Sequence, residues 1–146
     1  FVTWGERGMN LEEMLLCHEG LRLKLYFDPL GIPTIGCGRN LKSRGITHEE
    51  AMYLLRNDIK RVKKELYLEL PLLFPSLSPV RQNALIDLAF NVGVEGLMGF
   101  HRMLDALAEK DFHRAALEMR NSRWATQVQK SRVDRLTHMM EHNEEI

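Results

Sequence analysis

The spacing of hydrophobic positions predicts a mostly helical chain with one short stretch of strands near its start. In six segments, apolar residues recur at intervals of three and four, the period of an amphipathic helix. The predicted helices begin after Asn10, after Thr47 and after Ser78, span 100–109 and 111–120, and begin again at about Lys130.

The first two predicted helices carry explicit start and stop signals. Each begins with a capping-box pair three residues apart, Asn10 with Glu13 and Thr47 with Glu50. Their apolar stripes contain Leu11, Met14 and Leu15 in the first helix, and Met52, Leu55, Ile59, Val62 and Leu66 in the second. Gly20 ends the first helix, and Pro71 stops the second. The second helix is about 30 Å long, enough to connect two lobes.

A hairpin is predicted between these helices. Apolar and polar residues alternate over 21–27, and 32–37 forms the returning strand. The sequence Asp-Pro-Leu-Gly at 28–31 matches the residue preferences of a type I turn. Residues 39–44 add a third strand or a loop. The predicted fold class is therefore α+β, mostly α-helical, with one small sheet.

One domain is predicted for 9–146, because 146 residues are enough for a single hydrophobic core. A small sheet-containing lobe is expected over about 21–58. A helical lobe is expected over about 72–146, together with the first helix, and Trp124 is expected in its core. Residues 1–8 precede the first methionine and are expected to be an upstream extension or an expression remnant.

Composition narrows the class of protein. Hydrophobic residues make up 45% of the chain and charged residues 27%, as in soluble globular proteins. There is no apolar run long enough for a membrane span, and no basic segment followed by an apolar one as in a signal peptide. Cys17 and Cys37 are expected to be free, buried thiols, since both stand among apolar residues.

The charge distribution bears on possible partners. The formal net charge is zero, which argues against nucleic acid as the main partner. Residues 19–64 nevertheless contain ten Lys and Arg against five Asp and Glu. This excess fits an anionic polymer as the partner, although a solvated basic helix face is the commoner explanation.

Candidate chemistry centres on two carboxylates and a hydroxyl. Glu19 closes the first helix, where the negative end of the macrodipole and partial burial would both disfavour its charged form, as a general acid requires. Asp28 follows the first strand and Thr34 lies in the second, so that two acids can flank one cleft, as in glycoside hydrolysis. Each residue also has a simpler interpretation: a solvated helix end, a turn former and a β former.

Two other motifs bear on metal and cofactor chemistry. His138, Glu141 and His142 match the H-x-x-E-H pattern of zinc peptidases, but a polar helix face explains them more simply. The Gly-Cys-Gly sequence at 36–38 lacks the third glycine of a dinucleotide fingerprint. Neither a metal nor a cofactor is expected.

The chain resembles the phage-type lysozymes, which are endolysins and peptidoglycan muramidases. The resemblance rests on Glu-Gly-Leu-Arg-Leu at 19–23, on the spacing from Glu19 to Asp28 to Thr34, and on the following Thr-Ile-Gly-x-Gly. Residues 84–100 and the Ser-Arg-Trp at 122–124 resemble the second lobe of that family in the same order.

The resemblance implies a lysozyme-like fold of two lobes and a long connecting helix. It also implies cleavage of the β-1,4 bond between N-acetylmuramic acid and N-acetylglucosamine in bacterial peptidoglycan, for host cell lysis. Glu19 would protonate the leaving oxygen. Asp28, with Thr34, would position a water on the opposite face of the sugar, which is the inverting arrangement.

Further residues are implied in substrate binding. Phe90 and Asn91 would line the cleft and hold an N-acetyl or peptide group. Arg132 best fits the arginine that contacts the catalytic glutamate in the family, with one extra residue in the preceding loop. Two departures stand out: Arg39 replaces a frequent histidine, so an ion pair is expected to be rebuilt differently, and the segment 40–47 is short.

Two other functions stay open at this point. A lytic transglycosylase would use Glu19 alone, without Asp28, and a catalytically inactive wall-binding module would keep only the fold and the basic lobe. In each case peptidoglycan glycan strands are the expected partner. The resemblance further implies a monomer made in the host cytoplasm, without stable membrane insertion, that depends on a separate membrane-pore protein to reach the wall.

Overall fold

The structure is a computed structural model that describes residues 8–146. The prediction for 1–8 therefore falls outside the described residues, apart from Gly8. The chain divides into two compact units, one extending to Tyr53 and the other comprising Leu54–Ile146. None of the helices within the described part combines the length and apolar character needed to cross a membrane.

The first unit contains one helix and a three-stranded sheet. Helix α1 spans Leu11–Glu19, and the strands are β1 (Arg22–Phe27), β2 (Pro33–Gly36) and β3 (Arg39–Asn40). The strands are antiparallel in the order β1-β2-β3. Thr34 of the central strand pairs with Tyr26 on one side and with Asn40 on the other. The predicted hairpin is thus confirmed. Of the two alternatives for 39–44, a short strand forms at Arg39–Asn40.

Local start and stop signals form as the sequence predicts. The Asn10 side chain accepts a hydrogen bond from the Glu13 N–H (2.9 Å), and the Glu13 carboxylate accepts one from the Asn10 N–H (3.0 Å). Gly20 ends α1 with a φ of 74°, a backbone conformation that glycine adopts without steric cost. The second capping box joins Thr47 and Glu50 in the same reciprocal way.

Burial in the first unit differs from expectation. No side chain of α1 is buried, and Leu11 is 64% exposed. Cys17 and Cys37 are free, as predicted, but both are exposed, so the expectation of buried thiols is wrong. The physical reason is that periodicity identifies an apolar face, whereas burial needs a second surface to cover that face.

The second unit is helical. Its elements are α2 (His48–Glu69, which begins in the first unit), α3 (Leu73–Ser76), α4 (Pro79–Met98), α5 (His101–Ala108), α6 (Phe112–Arg120), α7 (Arg123–Gln127) and α8 (Lys130–His142). Ser78 caps α4 ahead of a proline at the first helical position, and Asp111 caps α6, as predicted. The short helices α3 and α7 were not predicted, since a single turn is too short for a periodic pattern.

The hydrophobic core lies in this second unit. Its fully buried members include Leu66, Phe74, Leu85, Leu88, Leu97, Met103, Leu107, Met119, Leu136 and Met140. Trp124 is buried among them, as predicted. Helix α4 kinks at Gly93, where φ is 77° and ψ is 159°, so the glycine that interrupts the apolar pattern permits the bend. The α+β, mostly helical fold class is confirmed.

Candidate active site

Glu19 is the last residue of α1, and its side chain is exposed. The predicted partial burial of this carboxylate is wrong, because the neighbouring Leu15 and Leu16 are themselves 44% and 43% exposed. The carboxylate lies against the backbone of Gly38. A Cβ added to Gly38 would lie 3.0 Å from Glu19 Oε2 and 3.3 Å from Cδ, so a side chain at this position would crowd the carboxylate.

Asp28 shapes the hairpin loop through its side chain. Oδ1 accepts hydrogen bonds from the N–H groups of Leu30 (2.8 Å) and Ile32 (2.9 Å). The Gly31 N–H donates to the Asp28 carbonyl (2.8 Å), and Gly31 has a φ of 77°. These bonds make a three-residue loop that ends on a left-handed glycine. Oδ1 of Asp28 therefore has the turn-forming role that the simpler interpretation predicts. Oδ2 accepts no hydrogen bond from any described residue.

Thr34 lies in the middle of the sheet and is 4% exposed. Its hydroxyl donates to the carbonyl of Ile32 (2.8 Å). The same carbonyl accepts the Asp28 N–H (3.0 Å). Ile32 thus joins Thr34 and Asp28 in one hydrogen-bond network. Because the hydroxyl proton is committed to the backbone, the lone pairs of Thr34 Oγ1 are the part that can meet a further donor.

The hairpin sets the order of the three candidate residues. Gly36 at the end of β2 pairs with Arg22 at the start of β1, three residues after Glu19. Thr34 is two residues along β2 from Gly36, about 7 Å at the usual rise per residue. Asp28 follows the other end of β1. Glu19 and Asp28 therefore lie beyond opposite ends of β1. Thr34 pairs with Tyr26 of β1 and so lies between these two ends.

Arg39 forms an ion pair with Glu50, a partner that the sequence did not identify. Its Nη1 donates to Glu50 Oε1 (2.9 Å) and to the Gly45 carbonyl (3.2 Å). The hydrogen bonds from Arg39 and from Thr47 lower the pKa of Glu50 to about 2. Hydrogen bonding to Glu50 in turn raises the pKa of Arg39. The capping box located Glu50 in the sequence, but its second role as the partner of Arg39 was missed.

The second unit holds the three residues predicted to bind substrate. Phe90 is 40% exposed and, with Arg132, lines a cavity of about 430 Å³. The other lining residues are Leu55, Ile59, Lys63, Asn83, Ile86 and Asp87. Asn91 is not among them, because its Oδ1 accepts a hydrogen bond from Trp124 Nε1 (2.7 Å). The structure thus brings Phe90 and Arg132 together and places Asn91 beside the buried tryptophan.

Arg132 has a specific partner in its own unit. Nε donates to Asp87 Oδ1 (2.8 Å), and Nη2 donates to the Asp87 main-chain carbonyl (3.0 Å). The shortest distance between the two charged groups is 2.7 Å. Asp87 therefore fixes the guanidinium at the rim of the cavity. Sequence reasoning missed Asp87, which carries no local signal because it lies 45 positions from Arg132.

The histidines near the end of the chain have carboxylate partners. His138 Nε2 lies 3.0 Å from Glu144 Oε2, and His113 Nδ1 lies 2.6 Å from Glu141 Oε1. Hydrogen bonding to Glu141 raises the pKa of His113. Within the described residues, no three or more His, Cys, Asp or Glu side chains are grouped to hold a metal ion.

Comparison with known proteins identifies one family and several similar proteins. The family model described as phage lysozyme matches residues 17–141. The pre-baseplate central spike protein Gp5 of Enterobacteria phage T4 is 31% identical over 88% of this chain, which spans only 27% of that relative. The probable T4-type lysozyme 1 of Dictyostelium discoideum is 27% identical over 82% of this chain and 86% of its own length. The endolysin of Salmonella phage P22 is 35% identical over 67% of this chain and 70% of its own length.

Proposed function

Since this chain belongs to the phage lysozyme family, we propose that it hydrolyses the β-1,4 bond between N-acetylmuramic acid and N-acetylglucosamine in peptidoglycan. The general function of this family is that of a lysozyme-type peptidoglycan hydrolase. The particular bond, the inverting course and the role in host lysis are proposals. The observation that best supports the shared role of Asp28 and Thr34 in the inverting course is the network that joins them through Ile32.

Glu19 acts as the general acid in this proposal. It donates its proton to the glycosidic oxygen as the bond from that oxygen to the anomeric carbon breaks. Its position at the end of α1, against a residue without a side chain, gives a sugar oxygen access to the carboxyl group. General acid catalysis contributes about 10²–10⁴-fold to the rate, which is why the loss of this one group should be severe.

Asp28 and Thr34 orient the attacking water. Asp28 Oδ2 takes one proton of the water, and the lone pairs of Thr34 Oγ1 accept a hydrogen bond from its second hydrogen. The water oxygen then bonds to the anomeric carbon on the face opposite the leaving group. The product is a hydrolysed sugar end of inverted configuration. Glu19 regains a proton from solvent, and Asp28 releases to solvent the proton that it took from the water. This course requires carboxyl groups about 6.5–9.5 Å apart.

Phe90 and Arg132 bind substrate in this proposal. Their shared cavity offers an aromatic face and a fixed guanidinium, which suit an N-acetyl or acidic peptide group. Asn91 contributes its remaining amide donors beside Trp124. We also propose that the chain acts as a monomer, is made in the host cytoplasm, and reaches the cell wall through a separate membrane-pore protein.

Mass spectrometry of fragments released from purified peptidoglycan tests this function. The wild type should release hydrolysed reducing ends with one atom of oxygen-18 when digestion is done in labelled water. Glu19→Gln should release almost none, whereas Glu12→Gln, which changes an exposed acid of the same helix, should match the wild type. Anhydro ends would show a transglycosylase instead, and absence of any cleavage by the wild type would leave only a wall-binding module.

A further inference from the structure

The turn that supports Glu19 has little packing of its own. It comprises Cys37 and Gly38, between Gly36 at the end of β2 and Arg39 at the start of β3, and Gly38 has a φ of 74°. The Cys37 side chain is exposed, and its thiol donates one hydrogen bond, to the Leu15 carbonyl (3.5 Å). The position of this turn must therefore be fixed by the residues that flank it.

Arg39 is the flanking residue with fixed partners. It follows Gly38 directly, and its Nη1 bonds to the Gly45 carbonyl and to Glu50. Glu50 is held in turn, because its Oε1 accepts the Thr47 N–H (3.0 Å) and its own N–H donates to Thr47 Oγ1 (3.1 Å). Arg39 is thus tied to the first turn of α2, and one carboxylate oxygen both caps the helix and receives the guanidinium.

We infer that Arg39 and Glu50 are positioning residues for Glu19, because they clamp the turn against which its carboxylate rests. This inference rests on the proposed role of Glu19 as the general acid. The contact is close, since a Cβ on Gly38 would reach 3.0 Å from Glu19 Oε2. A shift of the turn by part of an ångström therefore moves the surface that orients the acid. Misplacement of a catalytic group by about 1 Å can cost on the order of 10²-fold in rate.

The clamp persists in acid solution. The pKa of Glu50 lies at about 2, so the ion pair stays charged well into acid conditions. Asp58, further along α2, has a different partner, since it lies 3.7 Å from Arg61. Glu50, by contrast, pairs with Arg39.

Steady-state kinetics on a soluble glycan fragment of peptidoglycan separate positioning from plain stabilisation. Arg39→Ala should lower kcat about tenfold or more and change KM less than about twofold, because the substrate contacts remain while the acid loses its orientation. Arg39→Lys should recover part of the loss, since it keeps the charge but lacks the planar guanidinium whose Nη1 bonds to both the Gly45 carbonyl and Glu50. In Glu50→Gln, the amide oxygen can still accept hydrogen bonds from Arg39 and from the Thr47 N–H. Its kcat should therefore also lie between those of the wild type and Arg39→Ala.

Arg114 provides the matched control. It pairs with Glu109 at 2.9 Å, the same distance as Arg39 to Glu50, and both arginine side chains are 39% exposed. Arg114→Ala should lower Tm as much as Arg39→Ala does but leave kcat unchanged. All assays run well below the Tm of each variant, so that unfolding does not lower the measured rate.

The outcomes distinguish this inference from the proposed function. If Arg39→Ala keeps kcat within twofold of wild type while Glu19→Gln is inactive, the clamp is wrong and the acid assignment stands. If Glu19→Gln is active, the acid assignment fails and the clamp fails with it. Should Arg39→Ala not fold, kcat values within twofold of wild type for both Arg39→Lys and Glu50→Gln overturn the inference.

Discussion

Glu19 rests against the backbone of Gly38, with Oε2 only 3.0 Å from the point where a Cβ of that residue would lie. The contact ties the end of a helix to a turn between two strands that lies about twenty residues further along the chain. Two features favour glycine at this point: its φ of 74°, and the carboxylate that a Cβ would crowd.

Gly38→Ala should therefore lower both stability and activity. The left-handed backbone conformation costs about 1–2 kcal/mol for a residue with a Cβ, and the methyl group would displace the Glu19 carboxylate. Gly36→Ala is the matched control, because Gly36 has a φ of 70° but no atom within 4 Å of its added Cβ. Both variants should lose similar amounts of Tm, and only Gly38→Ala should lose activity about tenfold or more. Equal activities would show that the contact does not matter.

Asp28→Asn should leave the hairpin intact and nearly abolish hydrolysis. The amide oxygen of asparagine can still accept the two backbone N–H groups, so the free energy of unfolding should change by less than about 0.5 kcal/mol. Loss of the general base should lower kcat by about 10²-fold or more. Thermal unfolding and fragment analysis check both parts. Near-normal hydrolysis would limit Asp28 to its turn role, and near-normal release of anhydro ends would indicate a transglycosylase.

Thr34→Val should show whether the hydroxyl of Thr34 has a role beyond the place of the residue in the strand. Valine keeps the β-branched shape but removes the bond to the Ile32 carbonyl, which should cost about 1 kcal/mol of stability. If the hydroxyl also holds the attacking water, kcat should fall more than this loss of stability explains. Thr34→Ser keeps the hydroxyl and should retain most activity. A folded Thr34→Val enzyme with wild-type kcat would remove Thr34 from the catalytic group.

The Arg39–Glu50 pair should make stability depend on pH in the acid range. The pKa of Glu50 in the folded chain, about 2, is lower than its ordinary value of 4.5. The contribution is therefore complete above about pH 4.5 and is lost as pH falls towards 2. Thermal unfolding between pH 2 and pH 6 should show the Tm of wild type falling faster than that of Glu50→Gln. Parallel curves would contradict the lowered pKa.

Arg132→Ala should weaken substrate binding more than it weakens the fold. The pair with Asp87 is partly exposed, with 35% and 47% of the two side chains accessible, and such pairs contribute about 0–1 kcal/mol to stability. If the guanidinium contacts substrate, KM should rise several-fold while kcat changes little. Asp87→Asn, which frees Arg132 from its charged partner, should raise KM by a smaller factor. An unchanged KM in both variants would limit the pair to a structural role.

The sequence determined the elements whose signals lie within a few residues of each other. The capping boxes at Asn10 and Thr47, the caps at Ser78 and Asp111, and the loop that Asp28 begins all formed as predicted. Each depends on hydrogen bonds between residues two to four positions apart, which composition and spacing reveal directly. The spacing of the two acids and the threonine also identified the family.

Tertiary structure alone decided which distant groups meet and which apolar faces are covered. Glu19 meets Gly38, Arg39 meets Glu50, and Arg132 meets Asp87. The apolar face of α1 and both cysteines remain exposed, against expectation. Periodicity fixes the side of a helix on which a residue lies, because that depends only on local geometry. Whether another surface reaches that side depends on how the whole chain folds, so these contacts had to be seen in three dimensions.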